Sequence, residues 1–233
     1  MNPRTLVFLL LLNPLSACES APSTTTAPTT SSAPPASVDS VKGAAPGSVS
    51  IKLRKLDKIP DAIDSKGPAA WGWTDANGEN IFVVTYTDRE GPESEYETTW
   101  SRSMVITHDV LRSDGAVVRK RTVKDFVNDC AYDLSLHLKE DSLKTTDLDS
   151  DGLAEITFSY FLNCASDVGP VGRKLLLLED GEKYILRGYT GVEIIGGPVI
   201  PSEFKVDRSV ARGPKVFREH LIAEWSGSEP KQP

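Results

Sequence analysis

Apolar and polar residues alternate along much of this chain, the signature of strands with one buried face. Trp71–Thr74 and Ile81–Thr87 flank Asp75-Ala-Asn-Gly78, which predicts a hairpin. Ser103–Leu111 and Ala116–Val123 flank Arg112-Ser-Asp-Gly115, and Lys174–Leu178 and Tyr184–Arg187 flank Glu179-Asp-Gly-Glu-Lys183. These predict two more. The period changes near the C-terminus, where Phe217, Leu221 and Trp225 recur at every fourth position and predict one helix. His220 falls beside that stripe, Glu224 intrudes on the same side, and Gly227 is placed to cap the end. The expected fold is mainly β, antiparallel and sandwich-like, with a C-terminal helix. It forms a single domain over 51–233, its folded part about 51–227.

Residues 130–164 carry a register argument. Cys130 and Cys164 make an even pair suited to a disulfide. If they face each other in one antiparallel pair, Tyr132 meets Leu162, Leu134 meets Tyr160, Leu136 meets Phe158 and Leu138 meets Ile156. That side is wholly apolar. The other side holds Asp133, Ser135, His137, Glu155, Thr157 and Ser159, with Phe161 as the exception. A slip of one residue would exchange the faces. In this register the connection runs over about 140–154.

That connection ends in D-L-D-S-D-G-L-A-E, residues 147–155. Asp147, Asp149 and Asp151 stand at alternate positions, Gly152 allows a sharp turn, and Glu155 closes the set. Carboxylates this close repel, and a hard divalent cation relieves the repulsion. Calcium takes six to eight oxygens, and the expected ligands are Asp147, Asp149, Asp151, the Leu153 carbonyl and Glu155. A metal-free Asp-Ser-Asp-Gly turn is the plain alternative. An EF-hand needs Glu at loop position 12, which is Phe158 here. The stretch instead resembles the shorter D-x-D-x-D-G-x-x-[DE] loops of dockerins and of FG-GAP blades in integrin-type propellers.

The N-terminus reads as an address. Arg4 is followed by an apolar run from Thr5 to Leu12 and then by Leu15-Ser16-Ala17-Cys18, which resembles the bacterial lipobox. The resemblance implies a signal peptide over 1–17, cleavage before Cys18 and lipidation, palmitate included, of that cysteine. Glu19 after the cysteine resembles the pattern sorted to the outer membrane. Residues 18–50 form the expected tether. Of the 32 residues from 19 to 50, only Glu19, Val38, Asp39, Val41, Lys42 and Val49 are not Ser, Thr, Ala, Pro or Gly. Such a stretch buries too little apolar surface to offset its ordering entropy, so a disordered linker is expected.

The net charge is −7, and loss of residues 1–17 removes one arginine and no acid. That argues against nucleic acid as a partner. The three histidines, His108, His137 and His220, form no motif of a metalloprotease, nucleophile elbow or phosphate loop. Trp71 and Trp73 share a strand face, as core or as a platform for sugar rings. Asp88, Glu90, Glu93, Glu95 and Glu97 against Arg89 read as a solvated loop, with a second cation site as the alternative.

The run from Asp147 to Gly188 also resembles a segment of bacterial envelope proteins labelled surface polysaccharide biosynthesis. Its marks are the acidic loop, an aromatic strand, S-D-V, K-L-x-L and K-Y-x-x-R-G. Two expectations follow. One is an envelope lipoprotein with a calcium-stabilised β domain, held to the membrane by its lipid and binding a glycan or an envelope protein. The other is an enzyme or accessory factor in surface polysaccharide biosynthesis.

Overall fold

A computed structural model of the chain describes residues 51–91 and 98–227. The tether, Cys18 and three acids of the 88–97 loop (Glu93, Glu95 and Glu97) lie outside them. The domain is mainly β, in antiparallel sheets, with a C-terminal helix.

The first sheet is a meander of β1 (Arg54–Lys55), β2 (Ala69–Asp75), β3 (Gly78–Glu90), β4 (Trp100–Leu111) and β5 (Val117–Cys130), in that order. The second contains β6 (Asp133–Thr146), β7 (Glu155–Ala165), β8 (Gly172–Glu179) and β9 (Glu182–Tyr189). A short ribbon of β10 (Val192–Glu193) and β11 (Val199–Ile200) follows, and β12 (Glu203–Val206) returns to pair with β9. Two helices close the domain, α1 (Arg208–Arg212) and α2 (Lys215–Gly227). All three hairpins expected from the turn sequences form, as β2–β3, β4–β5 and β8–β9.

Alternation explains the layering. Trp71, Phe82, Val84, Met104 and Ile106 from the first sheet meet Leu136, Leu138, Ile156, Phe158, Leu176 and Ile185 from the second in one core. On the far side of the second sheet, Leu175, Leu177 and Leu186 receive Phe217, Leu221 and Trp225, the expected stripe of α2. The intruding Glu224 is tolerated because Lys144 Nζ reaches its carboxylate at 2.7 Å. His220 donates to or accepts from the Thr157 hydroxyl at 3.0 Å. Arg173, only 4% exposed, holds the end of the helix. Its guanidinium donates to the Trp225 carbonyl at 3.1 Å and lies 4.4 Å from the centre of the Trp225 ring. A cation at a helix C-terminus satisfies carbonyls the helix cannot. On the far side of the first sheet, Leu56, Ile59 and Ile63 cover Ala70, Ile81 and Val83. Sequence periodicity gave no sign of this strap.

The disulfide between Cys130 and Cys164 forms, but not within one strand pair. Cys130 ends β5 in the first sheet, opposite Trp100, and Cys164 lies on β7, opposite Leu134. The bridge therefore ties the two sheets together where the chain crosses between them. The true partners in the β6–β7 hairpin are Leu134 with Cys164, Leu136 with Leu162 and Leu138 with Tyr160. This register differs from the expected one by four residues. Four is even, so the side chains within the paired strands keep their expected faces. Leu136, Leu138, Ile156, Phe158 and Tyr160 point inward as expected, but Tyr132 precedes β6 and is 59% exposed, so it does not meet Leu162; the exception, Phe161, sits opposite His137 on the other face. The connection is also shorter than expected. Strand β6 continues to Thr146 past a bulge between Lys139 and Lys144, which leaves 147–154 as the loop.

The cysteines are 34 residues apart. Closing a loop of that size stabilises by about 3–4 kcal/mol in the chain-entropy model. The double variant Cys130→Ala/Cys164→Ala is expected to lose stability on that scale in urea titrations, with the native circular dichroism retained. A loss below about 1 kcal/mol would mean that the covalent tie between the sheets is dispensable.

Candidate metal centre

The acidic loop is pinned at both of its ends and in its middle. Leu148 packs into the cluster under α2, and Ala154 is buried in the main core. The Gly152 carbonyl accepts from the Ala76 N–H at 3.1 Å, and Asp75 Oδ2 accepts from the Ala154 N–H at 3.1 Å. The loop thus docks on the β2–β3 turn of the other sheet. Ser150 and Gly152 have φ of 64° and 86°, so the backbone doubles back twice. Serine tolerates this conformation only with strain, and glycine adopts it freely.

This folding gathers the carboxylates. Asp147, Asp149 and Asp151 each bring an oxygen within 4.8 Å of the others. A second group, Asp149, Glu155 and Glu179, meets the same distance. Asp149 belongs to both. Four of the five sequence-predicted ligand residues are therefore brought together. Leu153 stands between Asp151 and Glu155, with its N–H donated to Asp151 Oδ1 at 2.7 Å.

Glu155 has a further task. It is fully buried, and its carboxylate accepts the Leu148 N–H at 3.0 Å and the Thr146 hydroxyl at 2.9 Å. It closes the neck of the loop. Those bonds engage both oxygens and leave about one lone pair for a cation. Burial pushes its pKa up, against the pull of those donors.

Glu179 is the ligand candidate that sequence reading missed. Its position follows from sheet register. Ile156 pairs with Leu178 across β7 and β8, so the next residues outward are Glu155 and Glu179. Like charges side by side across strands are destabilising. Glu179 Oε1 and Asp147 Oδ1 are both buried without a hydrogen-bond partner among the described residues. Burial, and then the charges of Asp149, Glu155, Asp151 and Asp180, push the Glu179 pKa up to about 7. The sequence showed only a hairpin turn here, because nothing in it states which strand neighbours β7. Asp180 itself turns away, bonded to Asn77 and Lys120.

The arrangement offers only oxygen donors, several of them anionic and two with an unused buried atom. It can hold a hard cation, or it can hold a proton on Glu179. The other sequence candidates lie elsewhere. Trp71 and Trp73 are buried in the core and present no face to a sugar ring. The expected cation site of the 88–97 loop falls partly outside the described residues.

Metal-free protein should show a distinct pH response. Below pH 4.5, Glu179 is protonated both folded and unfolded and contributes nothing. Between about 4.5 and 7 the folded state keeps a proton that the unfolded chain has released, so stability falls as pH rises. Buried His108, with its pKa pushed down to about 4, tilts stability the other way below pH 6.5. The readout is therefore the difference between Glu179→Gln and the unaltered protein in EDTA. The variant should gain stability relative to the parent from pH 4.5 to 7 and keep that gain at pH 8. A difference that does not vary with pH would show that Glu179 is not repelled.

Comparison with protein-family models, curated proteins and solved structures finds no match to this chain.

Proposed function

We propose that this chain is an envelope-anchored bacterial lipoprotein whose β domain is stabilised by a structural calcium ion and which has a binding or structural role at the cell surface or in the periplasm. The observation that carries the metal half is the convergence of Asp147, Asp149, Asp151, Glu155 and Glu179 around one pinned loop. With no histidine or cysteine in either group, the donors suit a hard cation rather than zinc or copper. Calcium fits better than magnesium because its coordination is variable and it dehydrates readily. The anchoring half rests on the order of Arg4, the apolar run, Leu15-Ser16-Ala17-Cys18 and a tether rich in Ser, Thr, Ala and Pro. A lipidated Cys18 followed by such a tether, averaging roughly 30 Å end to end and extended further by its prolines, keeps the domain near a membrane.

A cation that binds only the folded loop raises stability by mass action, by about 1.4 kcal/mol at tenfold above its Kd. Thermal melts in EDTA, in calcium and in sodium chloride of equal ionic strength are the test. Calcium should raise the melting temperature well beyond sodium, and magnesium should do less. Asp149→Ala, which removes the residue common to both acid groups, should abolish the calcium increment and leave the metal-free form as stable as before or more so. Parallel responses of both proteins to calcium and sodium would reduce the loop to an acidic turn. For the anchor, Cys18→Ser should release the domain from the membrane fraction or leave an uncleaved precursor. Unchanged fractionation would assign the attachment to another segment.

A further inference from the structure

At the ends of β8 and β9 far from the acidic loop lies a cleft of about 530 Å³, within the size range of small-molecule sites. Sheet register shows how it is built. Tyr160 on β7 pairs with Lys174 on β8, Lys174 with Arg187 on β9, and Arg187 with Lys205 on β12. Register partners stand side by side on one face. The three cations therefore form a row across adjacent strands, roughly 5 Å apart. The next row along the strands is Leu162, Gly172, Tyr189 and Glu203. Gly172 contributes no side chain, which leaves a trough between Leu162 and the half-exposed ring of Tyr189.

Of the acids near this row, Asp125 and Asp207 are already committed, while Glu203, exposed at the rim two residues from Lys205, leaves three cations against one free carboxylate among the described residues. Asp125 takes both Lys174 and the Tyr160 hydroxyl, the latter at 2.8 Å. Asp207 takes Arg187 and also caps α1 through the Ser209 N–H. The cations keep donors to spare, since a guanidinium has five and an ammonium three. Lys205 has no hydrogen bond or ion pair among the described residues. On a chain of net charge −7, this is a local concentration of positive charge in a concave place.

We propose that this cleft binds a small anionic ligand, with a phosphate or carboxylate group held by the Lys174–Arg187–Lys205 row and a ring-sized body lying in the Gly172 trough against Leu162 and Tyr189. Phenyl phosphate is a probe of that shape, and inorganic phosphate is the same anion without the ring. Titration of the ¹⁵N-labelled domain with phenyl phosphate should give saturable shifts of the Gly172, Gly188 and Lys205 amides, beyond those in matched sodium chloride. Inorganic phosphate should bind more weakly. Lys205 is exposed on an edge strand, so Lys205→Ala should fold normally. It should weaken phenyl phosphate binding roughly tenfold, the loss of one charge-assisted hydrogen bond, and Lys205→Arg should restore it. Shifts that fail to saturate would overturn the site. So would saturable binding that Lys205→Ala leaves unchanged, and equal affinity for the two phosphates would remove the trough from it.

Discussion

Mutual repulsion among carboxylates that cannot move apart is the constraint on which one end of this molecule depends. An exposed acidic loop ordinarily spreads its charges into water and salt. Here Leu148 packs, partly buried, against one apolar cluster and Ala154 is buried in another, and hydrogen bonds to Asp75 and Ala76 fix the stretch between. Glu155 and Glu179 are register neighbours on adjacent strands, held by the whole second sheet. The fold brings the acids together, and a bound proton or cation would offset their repulsion. Near neutral pH Glu179 sits at its own balance point, so a proton offsets the repulsion only in part there, and a bound divalent cation would offset more of it.

The two sheets meet the same problem in different ways. At the crossover from β5 to β6, the Cys130–Cys164 bridge joins them covalently. At the acidic end, the 147–154 loop of the second sheet docks on the β2–β3 turn of the first. A cation bound at Asp147, Asp149 and Asp151 would strengthen this second tie. Along β8 and β9 the charge reverses, from Glu179 and Glu182 at one end to Lys174 and Arg187 a few residues away. The strands thus carry two regions of opposite sign, suited to ligands of opposite charge.

Local patterns in the sequence were enough for the hairpins, the helix stripe, the faces of β6 and β7, and the gathering of Asp147, Asp149 and Asp151. Each depends on residues close in the chain or on a period of two or four. The β6–β7 register was legible only to within an even shift. Alternation fixes which face a residue takes, and the disulfide was assumed to lie within one sheet when it joins two. The bulge near Lys139 left no mark in the pattern either. Glu179 and the cationic row at Lys174, Arg187 and Lys205 were not legible. They exist only once β7, β8, β9 and β12 are neighbours, and strand order is a property of the folded sheet.

Proton release on calcium binding tests the central claim most directly. Isothermal titration of the metal-free domain with calcium, in buffers of different ionisation enthalpy, counts the protons displaced. With the Glu179 pKa at about 7, binding should expel roughly half a proton at pH 7, more at pH 6 and almost none at pH 8.5. Glu179→Gln should abolish the release. Calcium binding with no proton release at any of these pH values, or no binding heat at all, would contradict the account of a repelled carboxylate cluster relieved by a cation.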